Sequence, residues 1–355
     1  MSKLGIKKNT RSNAITYLIV IVAFVLFTIL SNGGVLGRKT VGLLVPACCY
    51  IVMAISLNLT VGILGELSLG HAGFMSVGAF AGVVASTGLS STITSAPLRL
   101  AVAMVIGALF AAIAGFLIGI PVLRLRGDYL AIVTLAFGEI IKEIISCLIV
   151  GTDDKGLHIV FNYNGAKTVD DLGLTPTGTA IIKGAQGATG TQTIASFTAG
   201  FVFIMVALVI VLNFVNSRSG RAVMAIRDNR IAAESVGINI TKYKMIAFTI
   251  SAAIAGAAGA LYGLNYSNIT SAKFDFNTSI LILVFVVLGG LGNIRGSIIS
   301  ATVLYVLPEA LREFADYRML VYAIVLILVM IATNSSKVRT LLTRLLPHKR
   351  EKEVD

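Results

Sequence analysis

The stretch SRSGRAVMAIRDNRIAAESVGINITKYK, residues 217–244, stands between two apolar runs, 193–215 and 245–264. At 1.5 Å per residue, each run is long enough to cross a bilayer core roughly 30 Å thick. The stretch between them holds Arg218, Arg221, Arg227, Arg230, Lys242 and Lys244 against Asp228 and Glu234. No proline interrupts it, so it is compatible with helix. It is too polar to enter lipid and too patterned to be a passive tether. It reads as a handle by which something in the cytoplasm grips a membrane protein.

The rest of the chain agrees. Its 355 residues are 56% hydrophobic and 13% charged, with a mean hydropathy of +0.89. A soluble domain carries about 25% charged residues, so this is an integral membrane protein in a lipid bilayer. The net charge of +12 would suggest nucleic acid in a soluble protein. Here the charge clusters at the ends of apolar runs, so it sets orientation and no nucleic acid is expected. Cys48, Cys49 and Cys147 fall inside apolar runs and read as small buried hydrophobes. Residues 14–30 follow Lys3, Lys7, Lys8 and Arg11 and imitate a signal peptide. No small-x-small site follows, so a retained first span is expected.

Apolar segments fall at 14–30, 41–61, 67–87, 98–123, 128–150, 193–215, 245–264, 278–291, 297–311 and 318–333. The expected fold is an all-α membrane protein, a polytopic bundle of about 10 transmembrane helices over residues 14–333. Placing both termini inside makes 1–13 and 334–355 cytoplasmic. It also puts 19 of the 29 Lys and Arg on the cytoplasmic side and 9 outside, with Lys142 within a span. That bias follows the positive-inside rule, against which Arg38 and Lys39 run. The segment 151–192 becomes an external loop, rich in Gly and Thr. The segment 217–244 becomes cytoplasmic.

Ionisable groups inside a bilayer are costly and face a bundle interior or a water path. One such place is GILGELSLGHAG, residues 62–73. Its glycines, with Glu66, Ser68, Gly70 and His71, suggest a broken or closely packed helix. Either it lines a translocation path or its small residues serve helix packing. A second glycine-dense turn, 289–296, enters a span from the same side. Another polar place is Glu139, Lys142 and Glu143, spaced to share one helix face. They form either a local ion pair or part of the path. His71 has no second ligand at helical spacing, so no metal site is expected. The chain has no G-x-x-x-x-G-K-[ST] phosphate loop, no H-E-x-x-H and no nucleophile elbow. It is expected to be a transport protein and not an enzyme, and to hold no cofactor.

Several blocks then resemble one family. They are Arg221-Ala222 through Arg227, Ile231-Ala-Ala-Glu234-Ser-Val-Gly237-Ile238, and the run from Lys244 to Ala253. Leu67-Ser-Leu-Gly-His-Ala-Gly-Phe74, Arg126-Gly-Asp-Tyr-Leu-Ala-Ile-Val-Thr-Leu135, Val287-Leu-Gly-Gly-Leu-Gly-Asn-Ile-Arg-Gly296 and Pro308-Glu-Ala-Leu-Arg312 continue it. In this order they resemble the permease subunits of branched-chain amino-acid ABC importers, and the larger of the two paired permeases in particular. One departure is visible: Thr152-Asp-Asp-Lys-Gly156 stands where relatives often show a Gly-Gly pair.

The resemblance implies a heterodimer with a second permease subunit. Two cytoplasmic ATPase subunits would use the ATP, and an external substrate-binding protein would deliver the amino acid. The ATPase-coupling loop maps onto Arg221, Arg227, Asp228, Glu234 and Gly237. The translocation-path candidates are Glu66, Ser68, Gly70, His71, Glu139 and Lys142. Related permeases for urea, short amides and sugars share the outline. A stand-alone secondary transporter is the reading that would leave the 217–244 loop without a partner.

Overall fold

The computed structural model describes residues 2–33, 37–125, 127–153, 156–162, 165–176 and 178–311, with isolated positions between 317 and 327. Two compact units divide the chain, 1–301 and 302–355. The second begins within the last described helix, and most of it lies outside the described residues. So does most of the expected span 318–333.

The helices are α1 (Ser2–Asn32), α2 (Arg38–Asn58), α3 (His71–Gly88), α4 (Ala96–Val122), α5 (Asp128–Ser146) and α6 (Phe197–Asn216). They continue with α7 (Arg218–Asp228), α8 (Arg230–Ser235), α9 (Ile240–Gly263), α10 (Phe276–Gly289) and α11 (Ile294–Ala310). Each of the first nine expected apolar segments overlaps one of them. Five stretches are long and apolar enough to cross a membrane: Asn13–Ser31, Thr40–Leu64, Ala96–Val122, Phe197–Asn216 and Ile240–Gly263. Helix α3, 18 residues long, falls outside that set because His71 and four glycines lower its mean hydropathy. Helix α5 falls outside it because Asp128, Glu139, Lys142 and Glu143 interrupt its apolar character.

The core is α9 packed between α3 and α4. In lipid, no hydrophobic force drives one helix onto another, so close backbone approach through small residues supplies the attraction. Helix α9 reads SAAIAGAAGALYG over residues 251–263, and nearly every one of these residues is buried. A methyl group on Gly256 would overlap Ala111 Cβ, and one on Gly78 would overlap the Gly256 backbone. The outer helices do the reverse. In α4 the most apolar window is only 22% buried, against 72% in α9. Val105, Leu109, Phe110 and Leu117 point outward from it, as lipid contact requires.

The segment expected as a plain external loop is a correction to the all-α reading. It forms strands β1 (Leu148–Asp153), β2 (Gly156–Phe161), β3 (Thr179–Lys183) and β4 (Ala188–Thr189). With β5 (Asn268–Ile269), which follows α9, they make an antiparallel sheet in the order β2-β1-β3-β4-β5. The expected helix 128–150 therefore stops at Ser146, and Val150 belongs to β1. Of the departure at residues 152–156, Thr152 and Asp153 end β1 and Gly156 opens β2, with the Gly156 N–H donating to Asp153 Oδ1 at 3.2 Å. Cys48 and Cys49 are buried, Cys147 is half-buried, and all three are free thiols.

The two ends of the first unit differ in kind. At one end, the Thr191 N–H donates to the Ser267 carbonyl, and the Ile194 N–H to the Leu264 carbonyl. Arg99 donates from Nη2 to Gln192 Oε1 at 2.6 Å there. The sheet and the loops before α4, α6 and α10 thus gather at one end. Residues 62–67, 127–128 and 226–230 gather at the other.

Candidate functional site

The chain breaks where the glycines of 62–73 foretell it. Helix α2 ends in a π-helical turn, Leu59–Leu64, and Gly65 leaves it at φ 80°. Residues 65–70 are irregular before α3 resumes at His71. Irregular backbone at membrane depth survives only where protein satisfies its polar groups. Four such groups in and around the break have partners in the protein. The Glu66 N–H donates to the Thr60 carbonyl at 3.1 Å. The Leu69 N–H donates to Thr134 Oγ1 at 3.0 Å. The Ala72 N–H donates to Ser279 Oγ at 3.2 Å. The Gly62 carbonyl, left without a helical partner, accepts from Arg227 Nη1 at 2.9 Å.

The six path candidates fall into distinct settings. Glu66 pairs with Lys244 at the start of α9; their side chains are 14% and 5% exposed. Ser68 is buried, and its hydroxyl has no hydrogen-bond partner among the described residues. Gly70 lies against the Thr134 carbonyl so closely that a Cβ would overlap it. His71 is buried with Nε2 2.7 Å from Ser56 Oγ. The Ser56 hydroxyl donates to the Met53 carbonyl, so His71 donates from Nε2. These four stand at the seam of α2, α3, α5 and α9.

Glu139 and Lys142 pair with each other on α5, and Glu143 lies 3.7 Å from the same ammonium. Glu139 also accepts from the Phe276 N–H at 3.2 Å, which ties α5 to the first turn of α10. Asp275 caps that turn by accepting from the Thr278 N–H at 2.9 Å. Burial alone would raise the Asp275 pKa. Hydrogen bonds from Thr278 and Asn277, with the nearby Lys142 charge, outweigh burial and hold it below the usual range. Lys142 and Glu143 remain 21% and 68% exposed, so this face of α5 is polar while α4 is not.

The 217–244 loop is two capped helices and not a single one. Ser217 accepts from the Gly220 N–H, Asn229 from Ala232 and Asn239 from Lys242, each at an N-cap. Gly237, at φ 82°, ends α8, with its N–H donating to the Glu234 carbonyl at 3.0 Å. Ile226, Ala233 and Ile240 form a small buried core beneath, with Ile238 and Tyr243 against it. Arg221 is exposed and donates to the Asn216 carbonyl at 2.9 Å. Asp228 holds the Arg227 guanidinium at 3.1 Å. Glu234 is exposed. Ile231 is 81% exposed and Val236 75%.

Loop and break meet. Arg227, Arg230 and Lys244 share a cavity of about 330 Å³ with Gly65, Glu66 and Asp128. The second glycine-dense turn joins them. The Gly292 N–H donates to Asn58 Oδ1 at 2.8 Å, and Asn58 Nδ2 donates to Ser297 Oγ at 2.9 Å. A Cβ on Gly62 would overlap both Asn58 Oδ1 and the Gly292 nitrogen. Sequence reasoning found both turns but not their contact, and it passed over Asn58 and Ser297. A lone buried asparagine in an apolar span was the available signal.

These features define a polytopic membrane transport protein with a capped, polar loop keyed to a broken helix. Residues 39–330 match the family described as branched-chain amino acid transport system / permease component, and the chain belongs to that family. It is 33% identical over 301 residues to the high-affinity branched-chain amino acid transport system permease protein LivM of Escherichia coli, covering 83% of this chain and 69% of the relative. It is 26% identical over 299 residues to the probable LivM permease of Methanocaldococcus jannaschii, covering 76% and 80%. A shorter match, 33% over 130 residues, links it to the LivH permease of Escherichia coli, covering 36% and 41%. No solved structure matches the chain. Its relatives are permease components and not enzymes.

Proposed function

We propose that this chain is one of two permease subunits of an ATP-binding cassette importer that carries branched-chain amino acids into a prokaryotic cell. The permease half-pore crosses the plasma membrane ten times, with both termini inside. Two cytoplasmic ATPase subunits drive it, and an external binding protein supplies the substrate. The observation that carries this reading is the capped helical loop, which offers Ile231, Val236 and Glu234 to the aqueous phase. We read this exposed apolar pair, on a capped and otherwise polar mount, as the docking surface for an ATPase subunit. Similarity to both LivM and LivH favours a heterodimer. Positive-inside charge favours a cytoplasmic loop. The polar face of α5 with Glu139 and Lys142 suits a water path or the partner permease, since lipid would penalise it.

The test is co-purification. Ile231→Glu should abolish recovery of the ATPase subunits with the tagged permease while the permease still reaches the membrane. Undiminished recovery would remove α8 from the interface. Substrate class is tested by the ligand affinity of the binding protein encoded beside this gene. Binding of urea or a sugar in place of leucine would overturn the amino-acid assignment and leave the importer assignment standing.

A further inference from the structure

The loop that we assign to the ATPases touches the membrane part at a chosen point. A helix ends with four carbonyls that have no partner in the helix, and carries negative partial charge there. The π-turn closing α2 ends in this way beside α7. Arg227 places its guanidinium on the Gly62 carbonyl at 2.9 Å, while Asp228 holds the same guanidinium at 3.1 Å. The arginine stem lies along Gly65, where φ is 80° and a Cβ would stand 2.6 Å from Arg227 Cγ. Any bulk on Gly65 would push the arginine away. Directly behind Gly62, Asn58 bonds to Gly292 and Ser297, so the π-turn is tied to the α10–α11 turn as well.

We infer that Arg227 is the positioning residue through which movement of the coupling helix reaches the broken helix. The contact persists through the cycle as a rigid link. A shift of α7 displaces the Gly62 carbonyl, and with it both the irregular segment 65–70 and the turn at Gly292. The second tie, Lys244 to Glu66, fixes the start of the same segment to α9. The start of the broken segment is therefore held both by the end of α7 and by the first turns of α9. This inference rests on the importer reading above.

The test uses the complete importer, with both permeases, ATPases and binding protein, in proteoliposomes. Arg227→Ala should leave recovery of the assembled importer unchanged but weaken the stimulation of ATP hydrolysis by loaded binding protein, since a link that carries movement one way carries it the other. Import per ATP should fall roughly tenfold, the scale of one charged hydrogen bond. Arg227→Lys, with one donor retained, should fall between. A purely structural role would lower assembly, hydrolysis and import together.

A second variant replaces the contact by a covalent one. A Cβ on Gly65 would stand 3.5 Å from Arg227 Cβ, at the short end of the disulfide range of about 3.5–4.5 Å. Gly65→Cys with Arg227→Cys, in a background with Cys48, Cys49 and Cys147 changed to Ala, should couple when oxidised and uncouple when reduced. Should Arg227→Ala not assemble, this pair carries the test. Equal import per ATP in the two redox states, or a wild-type ratio in Arg227→Ala, overturns the inference. Import that needs no ATP would instead overturn the importer reading.

Discussion

Glu66 and Lys244 are 178 residues apart in sequence and share a site that water barely reaches. Removing one partner of a buried ion pair leaves the other charge uncompensated, which costs about 3–5 kcal/mol. Removing both leaves two apolar stems in the same space. Glu66→Leu should therefore lower the thermal stability of the purified permease sharply, as should Lys244→Leu. The double substitution should recover most of the loss, and a melting series on the three variants checks it. Gly70 obeys a different constraint. Its hydrogen faces the Thr134 carbonyl, with Gly138 close by. Gly70→Leu should abolish uptake while the protein remains in the membrane. Uptake at the wild-type rate would show that α3 and α5 tolerate separation there.

Within the 217–244 loop, the helices are too short to hold themselves. Helix α8 has six residues, far below the length at which an isolated helix is stable. Caps and the small core beneath must supply what length does not. Asn229→Ala and Asn239→Ala should each cost about 1 kcal/mol of local stability. Hydrogen exchange should then quicken across α8 in the first variant and in the first turn of α9, which Asn239 caps, in the second. Helix α10 has an acid-sensitive start. The Asp275 carboxylate has a depressed pKa, so its stabilising effect is complete above its unfolded pKa of about 4. It is lost as pH falls through the lower folded value. Asp275→Asn should flatten that acid limb in a pH–stability profile.

Elements of this kind were legible to different degrees. Apolar spans announce themselves because lipid demands a continuous run, and Gly237 announced the end of α8 because a helix stop favours positive φ. The sheet did not. Its strands run from two to six residues, in a segment whose Gly and Thr read as loop. Its last strand lies beyond four further helices. The Asn58–Ser297 bond spans 239 residues, and no local pattern encodes such a distance. The pairing of Arg227 with Gly62 was equally hidden, since a backbone carbonyl has no letter in the sequence.

At the scale of the molecule, the first unit separates an end with a sheet from an end with charged loops, and each function assigned above belongs to one end. Single cysteines at Ala225 or Ala232 should resist an impermeant reagent applied to intact cells and react once the membrane is opened. Labelling from outside would invert the orientation. Purified alone in liposomes, the chain should show no ATPase activity and no concentrative uptake; proton- or sodium-driven uptake would indicate a self-sufficient carrier. The sheet also imposes an order on synthesis. Gly190 bonds to Asn268 across 78 residues, and helices α6 to α9 lie between them. A ribosome adds roughly 5–20 residues per second, so the strands before α6 wait about 4–16 s for their last neighbour. Until β5 emerges, the edge of β4 is open, and the sheet is closed as a clasp only after α9 has been made.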